Sequence, residues 1–390
     1  MTESPRCKKS YSYTTCFRIP FRNPARCRSE AKQSLLARRM LHDRKMASDH
    51  VSDDEALQFL ASQGYLPLQL ANHDGLVDAY SRLFQLSAAY FNLPETSLAK
   101  TSFQAPSGAK ASEQGYSEIV GEKSILTVKT HETCPAMLHE QLNLTWDLTG
   151  AFLESTCKSI ATTLQLAPDV FAPFTEPCRD LPRGERTSTM LRLFRYNRPV
   201  GEEAVVTAEK HKDLGILSLV VGNSPGLQVL DTAANVWVPI EEDTVVPKDA
   251  KLRSGGMTAT LLCGETMAFL TRNRYKAGVH RVLCAPAKDN PYRFSIVFAL
   301  RPAAAPIFTK NFESAVVGEF PPDQRLDGQS AALFMQQMIA THWNVNITKD
   351  MREEQQGRFR AQTQSSMANG QEDIEDYAPP PGPPPGRASG

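Results

Sequence analysis

From Leu191 onward the chain is a succession of short apolar runs, LRLFRY, GILSLVV, GLQVL, VWVPI, TMAFL, HRVLC and FSIVFAL, most of them set apart by Gly, Pro or Asn. Alternating side chains over so few residues fit strands that bury one face, and strands this short are stable only when paired. Many of them in series predict two packed antiparallel sheets, a sandwich or a double-sheet jelly roll. The preceding segment has a different texture. Apolar residues recur at 76, 80, 83, 84 and 90, a period near 3.6, until Asn92-Leu93-Pro94 breaks it, so a helix is predicted over Leu76 to Tyr90. Ala151 to Leu166 reads as a second helix, and Gly64-Tyr65-Leu66-Pro67-Leu68 as a strand. A last helix, Ala331 to Trp343, offers Leu333, Phe334, Met338 and Ile339 as an inner face to the outside of the sheet pair.

The two ends contrast with this core. Residues 1–49 carry twelve Lys or Arg against four acids and read as a disordered basic arm, whose composition also fits a mitochondrial presequence. Residues 351–390 run from EEQQGRFRAQTQSS into YAPPPGPPPGRASG and read as a disordered Pro-rich tail. Between them lie an N-terminal helical or mixed segment at 50–180, the strand-rich domain at 186–303 and a helical extension at 304–350. Lys plus Arg equals Asp plus Glu, 43 each, so no global field draws the chain to nucleic acid or to an anionic membrane. No apolar run approaches the ~18 residues of a membrane span. Eight cysteines without paired spacing fit reduced thiols. A monomer in the cytoplasm is the expectation.

His211-Lys212-Asp213 stands immediately before the run GILSLVV. In extended backbone alternate side chains share a face, so His211 and Asp213 point one way and Lys212 the other. His280, sixty-nine residues further on, begins another apolar run. Two imidazoles and one carboxylate suit iron(II) with coordination positions left open. Arg293-Phe294-Ser295 then places a guanidinium and a hydroxyl on one face of an otherwise apolar strand, a fork suited to the far carboxylate of a dicarboxylic acid. Tyr196 is a candidate third donor. The other histidines (42, 50, 73, 131, 139, 342) have no ligand spacing and read as surface or structural, and Glu122-Lys123 reads as a solvated loop charge pair, with reach into the substrate pocket from the N-terminal segment as the alternative.

In this order, His-x-Asp, a distant His and Arg-x-Ser, the chain resembles the isopenicillin N synthase-like branch of the 2-oxoglutarate and iron(II)-dependent oxygenases. Gly226-Leu227-Gln228-Val229, Gly264-Glu265-Thr266-Met267 and Tyr275-Lys276-Ala277-Gly278-Val279-His280-Arg281-Val282 are similar to stretches of that family, and the resemblance runs over about residues 50 to 345. It implies a mainly β protein with flanking helices, a double-stranded β-helix or jelly-roll core, and an N-terminal helical subdomain closing the pocket. By position, His211, Asp213 and His280 would bind Fe(II), while Arg293, Ser295 and Tyr196 would hold 2-oxoglutarate. The chain departs from the family in having Phe194-Arg195-Tyr196-Asn197 in place of Asn-x-Tyr-Pro, Lys212 inside the first motif, and a longer connection from Pro247 to Met257.

The activity so implied is O2-dependent hydroxylation, desaturation or cyclisation of a small organic substrate of specialised metabolism, with succinate and CO2 released. Two other classes remain open: an iron-dependent oxidase of the same fold that does not use 2-oxoglutarate, and a non-catalytic binding module acting through the basic arm or Pro-rich tail.

Overall fold

The computed structural model describes residues 54–368, apart from 71–72, 74, 106–112, 185–186, 202, 242–256, 288–289 and 343. The basic arm at 1–49, most of the connection from Pro247 to Met257 and the Pro-rich run near the C-terminus lie outside the described residues. Helix α1 (Asp54–Gln63) leads into β1 (Tyr65–Gln69), followed by α2 (Leu76–Phe91), the hairpin β2 (Gly115–Ile119) and β3 (Lys123–Val128), and the long α3 (His139–Thr163). Among the described residues ten strands follow: β4 (Met190–Asn197), β5 (Val205–His211), β6 (Leu217–Gly222), β7 (Leu227–Asp231), β8 (Val236–Pro239), β9 (Thr258–Cys263), β10 (His280–Cys284), β11 (Tyr292–Leu300), and β12 (Pro306–Phe308) with β13 (Asp327–Ser330), which pair with each other. Between β9 and β10 sits α4 (Glu265–Leu270), and α5 (Ala331–Thr341) and α6 (Lys349–Ala368) close the described chain.

The strands form a large sheet in the order β1-β9-β6-β11-β4-β3-β2 and a smaller one in the order β5-β10-β7-β8, with every pair antiparallel. This is the jelly roll expected from the spacing of apolar runs. Strand β11 shows why it holds. On one face Phe294, Ile296, Phe298 and Leu300 enter the core between the large sheet and the helices, where the Trp146 and Phe298 rings meet at 4.9 Å. The other face carries Arg293, Ser295, Val297 and Ala299 towards the interior between the sheets. A smaller core there gathers Phe194, Tyr196, Val220, Leu227, Val229 and Val282. Each large apolar side chain so buried contributes about 1.5–3 kcal/mol, against which a row containing Arg and Ser needs a reason.

Three expectations are corrected. The run TMAFL lies in helix α4: Gly264 precedes it with Glu265 in the first turn, and its buried Met267 and Leu270 are three apart, a spacing a short apolar run does not distinguish from a strand. The neighbouring strand is TATLLC instead. The disordered tail does not begin at 351, because α6 continues to Ala368. Its Glu, Gln, Arg and Ala are strong helix formers, and Arg352 anchors it through ion pairs to Glu122 and Glu209. In α5, Leu333 and Ile339 face solvent, while Phe334 and Met335 are buried.

The N-terminal segment is less separate than its texture suggests. It supplies β1, β2 and β3 to the large sheet, and its helices pack on that sheet's outer face rather than over the interior.

Candidate active site

Strands β5 and β10 run side by side, and their register sets His280 opposite His211. The two rings lie 4.2 Å apart between centroids. Asp213, just past β5, is pinned by the start of α4: the Glu265 amide donates to the Asp213 carbonyl, and the Thr266 hydroxyl to that of Leu214. Asp213 Oδ1 consequently sits 4.0 Å from His211 Nε2 and 3.9 Å from His280 Nε2. Candidate ligand atoms of all three residues lie within 4.8 Å of one another.

The backbone also orients the imidazoles. His211 Nδ1 is 2.7 Å from the Glu209 carbonyl and His280 Nδ1 is 3.1 Å from the Gly278 carbonyl. A carbonyl can only accept, so each Nδ1 carries the hydrogen and each Nε2 turns a lone pair to the centre. Burial, and then the neighbouring His280, hold His211 well below the usual imidazole range. Burial alone would raise the Asp213 carboxyl, but His280 and His211 beside it more than offset that and keep it ionised. Neutral imidazole and ionised carboxylate are the forms a divalent metal takes. Asp213 Oδ2 is buried and makes no hydrogen bond, an orphan acceptor that a cation would satisfy. The donor set and its geometry therefore fit iron(II).

The three residues line a cavity of about 60 Å³ between the sheets, together with Arg192, Phe194, Tyr196, Ser295 and Arg301. Val345 and Asn346, from the segment between α5 and α6, complete it. Among its described lining residues, Val345 and Asn346 come from the C-terminal extension and none from 50–180, the subdomain expected to close the pocket. Outside, a groove of about 850 Å³ also reaches His211.

Arg293, Ser295 and Tyr196 do meet at one end of this interior. Arg293 is fully buried, with its guanidinium 5.5 Å from the centroid of the Tyr196 ring. Its Nε donates to the Ser224 carbonyl at 3.0 Å, and its Nη2 to both oxygens of Glu241, at 3.1 Å and 2.8 Å. Glu241 Oε2 also accepts from the Leu227 amide at 2.7 Å. Gly222 and Gly226 make room for the pair: a Cβ on the first would lie 2.7 Å from Arg293 Nη2, and on the second 2.8 Å from Arg293 Cδ. Nη1 alone is left buried without a hydrogen bond, a donor fit for one carboxylate oxygen. The Ser295 hydroxyl donates to the Val221 carbonyl at 3.3 Å, and Tyr196 stacks on Phe194 with centroids 5.4 Å apart.

Sequence reasoning missed Glu241, an acid following a strand that reads like any loop charge. It also missed Arg192, although Arg192, Phe194 and Tyr196 alternate along β4 and so share its inner face. Lys123 is corrected outright. It is fully buried in β3, donating to the carbonyls of Thr207 at 3.0 Å and Val345 at 3.1 Å, while Glu122 pairs with Arg352.

Comparison with known proteins adds the following. Residues 188–302 match the model of the 2OG-Fe(II) oxygenase superfamily. An oxidoreductase of Penicillium aethiopicum, vrtI, is 30% identical over 139 residues, 36% of this chain but only 31% of that protein's length. The 2-oxoglutarate-dependent dioxygenase frbH of a Dothideomycetidae species is 22% identical over 272 residues, 66% of this chain and 79% of its own length. Among solved structures, a full-length Neurospora crassa protein in complex with alpha-KG superposes with a TM-score of 0.54 at 20% identity, over 73% of this chain and 88% of that one. At that identity the likeness speaks for the fold.

Proposed function

We propose that this chain, whose residues 188–302 match the model of the 2OG-Fe(II) oxygenase superfamily, is a non-haem iron(II), 2-oxoglutarate-dependent dioxygenase acting on a small organic molecule. One observation carries the reading: His211, Asp213 and His280 converge on the wall of a cavity whose interior row, along β11, ends in a buried arginine with an orphan N–H. His211 and His280 would hold the iron through Nε2 and Asp213 through its carboxylate. Arg293 would take the far carboxylate of 2-oxoglutarate through Nη1, with Ser295 and Tyr196 beside it.

When bound, iron(II) and 2-oxoglutarate together supply, with O2, an oxidant able to take hydrogen from an unactivated C–H bond, releasing succinate and CO2. The work of the chain is positional. The Glu209 and Gly278 carbonyls fix the tautomers, α4 fixes Asp213, and the apolar walls formed by Phe194, Val220, Leu227 and Val282 keep water from the reacting atoms. A Mg²⁺-type site of many carboxylates and waters is disfavoured by a donor set with two imidazoles.

No helix among the described residues is long and apolar enough to cross a membrane. A monomer in the cytoplasm completes the reading, and the balanced charge supports the expectation of no nucleic-acid partner. The oxidase alternative predicts no 2-oxoglutarate turnover. The test is iron-dependent conversion of 2-oxoglutarate to succinate by the purified chain, lost in Arg293→Ala. Oxygen uptake that ignores both 2-oxoglutarate and Arg293 would favour the oxidase.

A further inference from the structure

The inner row of β11 does not stop at Ala299. Arg301, just beyond the strand, lines the same cavity, and so does Arg192, whose register partner on β11 is Val297. The interior thus has guanidiniums at both ends: Arg293 beyond Ser295, and Arg192 with Arg301 beyond Val297 and Ala299. The second pair is tied by one carboxylate. Arg192 Nη2 donates to Glu113 Oε1 at 3.0 Å and Arg301 Nη1 to Glu113 Oε2 at 2.9 Å, with Lys129 Nζ 3.8 Å from the same oxygen. Both arginine side chains are nearly buried, at 12% and 8% exposure. Glu113 thus bridges two nearly buried guanidiniums that both line the cavity.

We propose that Arg192 and Arg301 form a carboxylate-binding subsite for the organic substrate, which makes the substrate class a small organic acid. This rests on the oxygenase reading above and goes on to name the substrate's chemistry. Arg192 and Arg301 line the same cavity as His211, Asp213 and His280, so an anion held there lies beside the metal centre. The cosubstrate's far carboxylate has its own partner in Arg293, at the opposite end of the row. The approach is consistent. Among its described lining residues, the outer groove carries Lys210, Lys212, Arg272 and Lys276 against the carboxylate of Glu265, and it meets the cavity's lining at His211. A cleft of one sign raises the local concentration of the opposite ion.

Equilibrium dialysis of the zinc-loaded full chain, with saturating 2-oxoglutarate, against benzoate, phenylacetate, hexanoate and their primary amides tests this. At least one acid should be retained ten-fold more than its amide. Arg192→Met and Arg301→Met should each lower that retention at least ten-fold, while 2-oxoglutarate binding, measured separately, stays within two-fold. Glu113→Gln, which removes the competing anion, should raise acid retention several-fold, and it decides the matter if the arginine variants do not fold. Equal retention of acids and amides overturns the subsite, as does unchanged acid binding in the variants. Loss of 2-oxoglutarate binding along with it also overturns the proposal, assigning the pair to the cosubstrate. Acid binding by a chain that never binds 2-oxoglutarate would sink the oxygenase reading and leave the subsite standing.

Discussion

Glu241 sets both carboxylate oxygens against Nη2 of Arg293, at 3.1 Å and 2.8 Å, and so takes half of the fork that the sequence reserves for a cosubstrate. The pair is close to neutral as a unit. An incoming carboxylate meets the single donor Nη1 and is repelled by the carboxylate already present. Glu241→Gln keeps the shape and removes that charge, so 2-oxoglutarate should bind about three- to ten-fold more tightly, roughly 1 kcal/mol. Isothermal titration of the metal-loaded variant checks this. Weaker binding would mean that Glu241 chiefly orients the guanidinium.

The glycines beneath this pair give a steric counterpart. Gly226→Ala would push a methyl group onto the Arg293 side chain, which is fully buried and cannot swing aside. The expected cost is about 1–3 kcal/mol of stability, with weaker 2-oxoglutarate binding and unaltered metal binding. Chemical denaturation alongside the two titrations would separate these effects.

For the proposed metal centre, His211→Ala and Asp213→Ala each remove one of three candidate ligands held at strand ends, outside the two apolar cores. Each variant should fold and lose metal affinity by about 100-fold or more, beyond the 10–100-fold typical of residues that merely support a ligand. Circular dichroism with a competitive metal titration reads both.

Lys123 supplies a pH test. Burial, followed by repulsion from Arg352, lowers its pKa from 10.5 to about 7. Below about 7 both folded and unfolded chains carry the ammonium, and the folded state bears the full cost of burying it. Between about 7 and 10.5 only the unfolded chain stays protonated, so the cost shrinks by about 1.4 kcal/mol per pH unit and stability rises with pH. Lys123→Met abolishes that dependence. The stability difference, variant minus wild type, should therefore fall steadily from pH 6.5 to pH 9 in denaturant titrations, and a pH-independent difference would contradict the assignment.

The meeting of His211 with Asp213 was legible because period-2 alternation, a feature of the backbone alone, fixes which side chains share a face. The same rule identified Arg293 and Ser295 as a polar pair in an apolar strand. It was equally available for Arg192, whose side chain alternates with Phe194 and Tyr196, and passed unused because one arginine in a strand carries no partner with it. Glu113 and Glu241 could not be read at all: each meets its arginine only through the pairing of strands distant in sequence, 79 residues apart for Glu113 and Arg192 and 52 for Glu241 and Arg293. Helix α4 was misread since six residues are too few for period 2 and period 3.6 to diverge.

The most direct test of the oxygenase reading is anaerobic titration of the intact chain with iron(II) and then 2-oxoglutarate, followed by visible absorption. A weak metal-to-ligand charge-transfer band should grow with 2-oxoglutarate, saturate at one equivalent per chain, and be absent in His211→Ala. No band in the intact chain, with iron bound, would contradict the account.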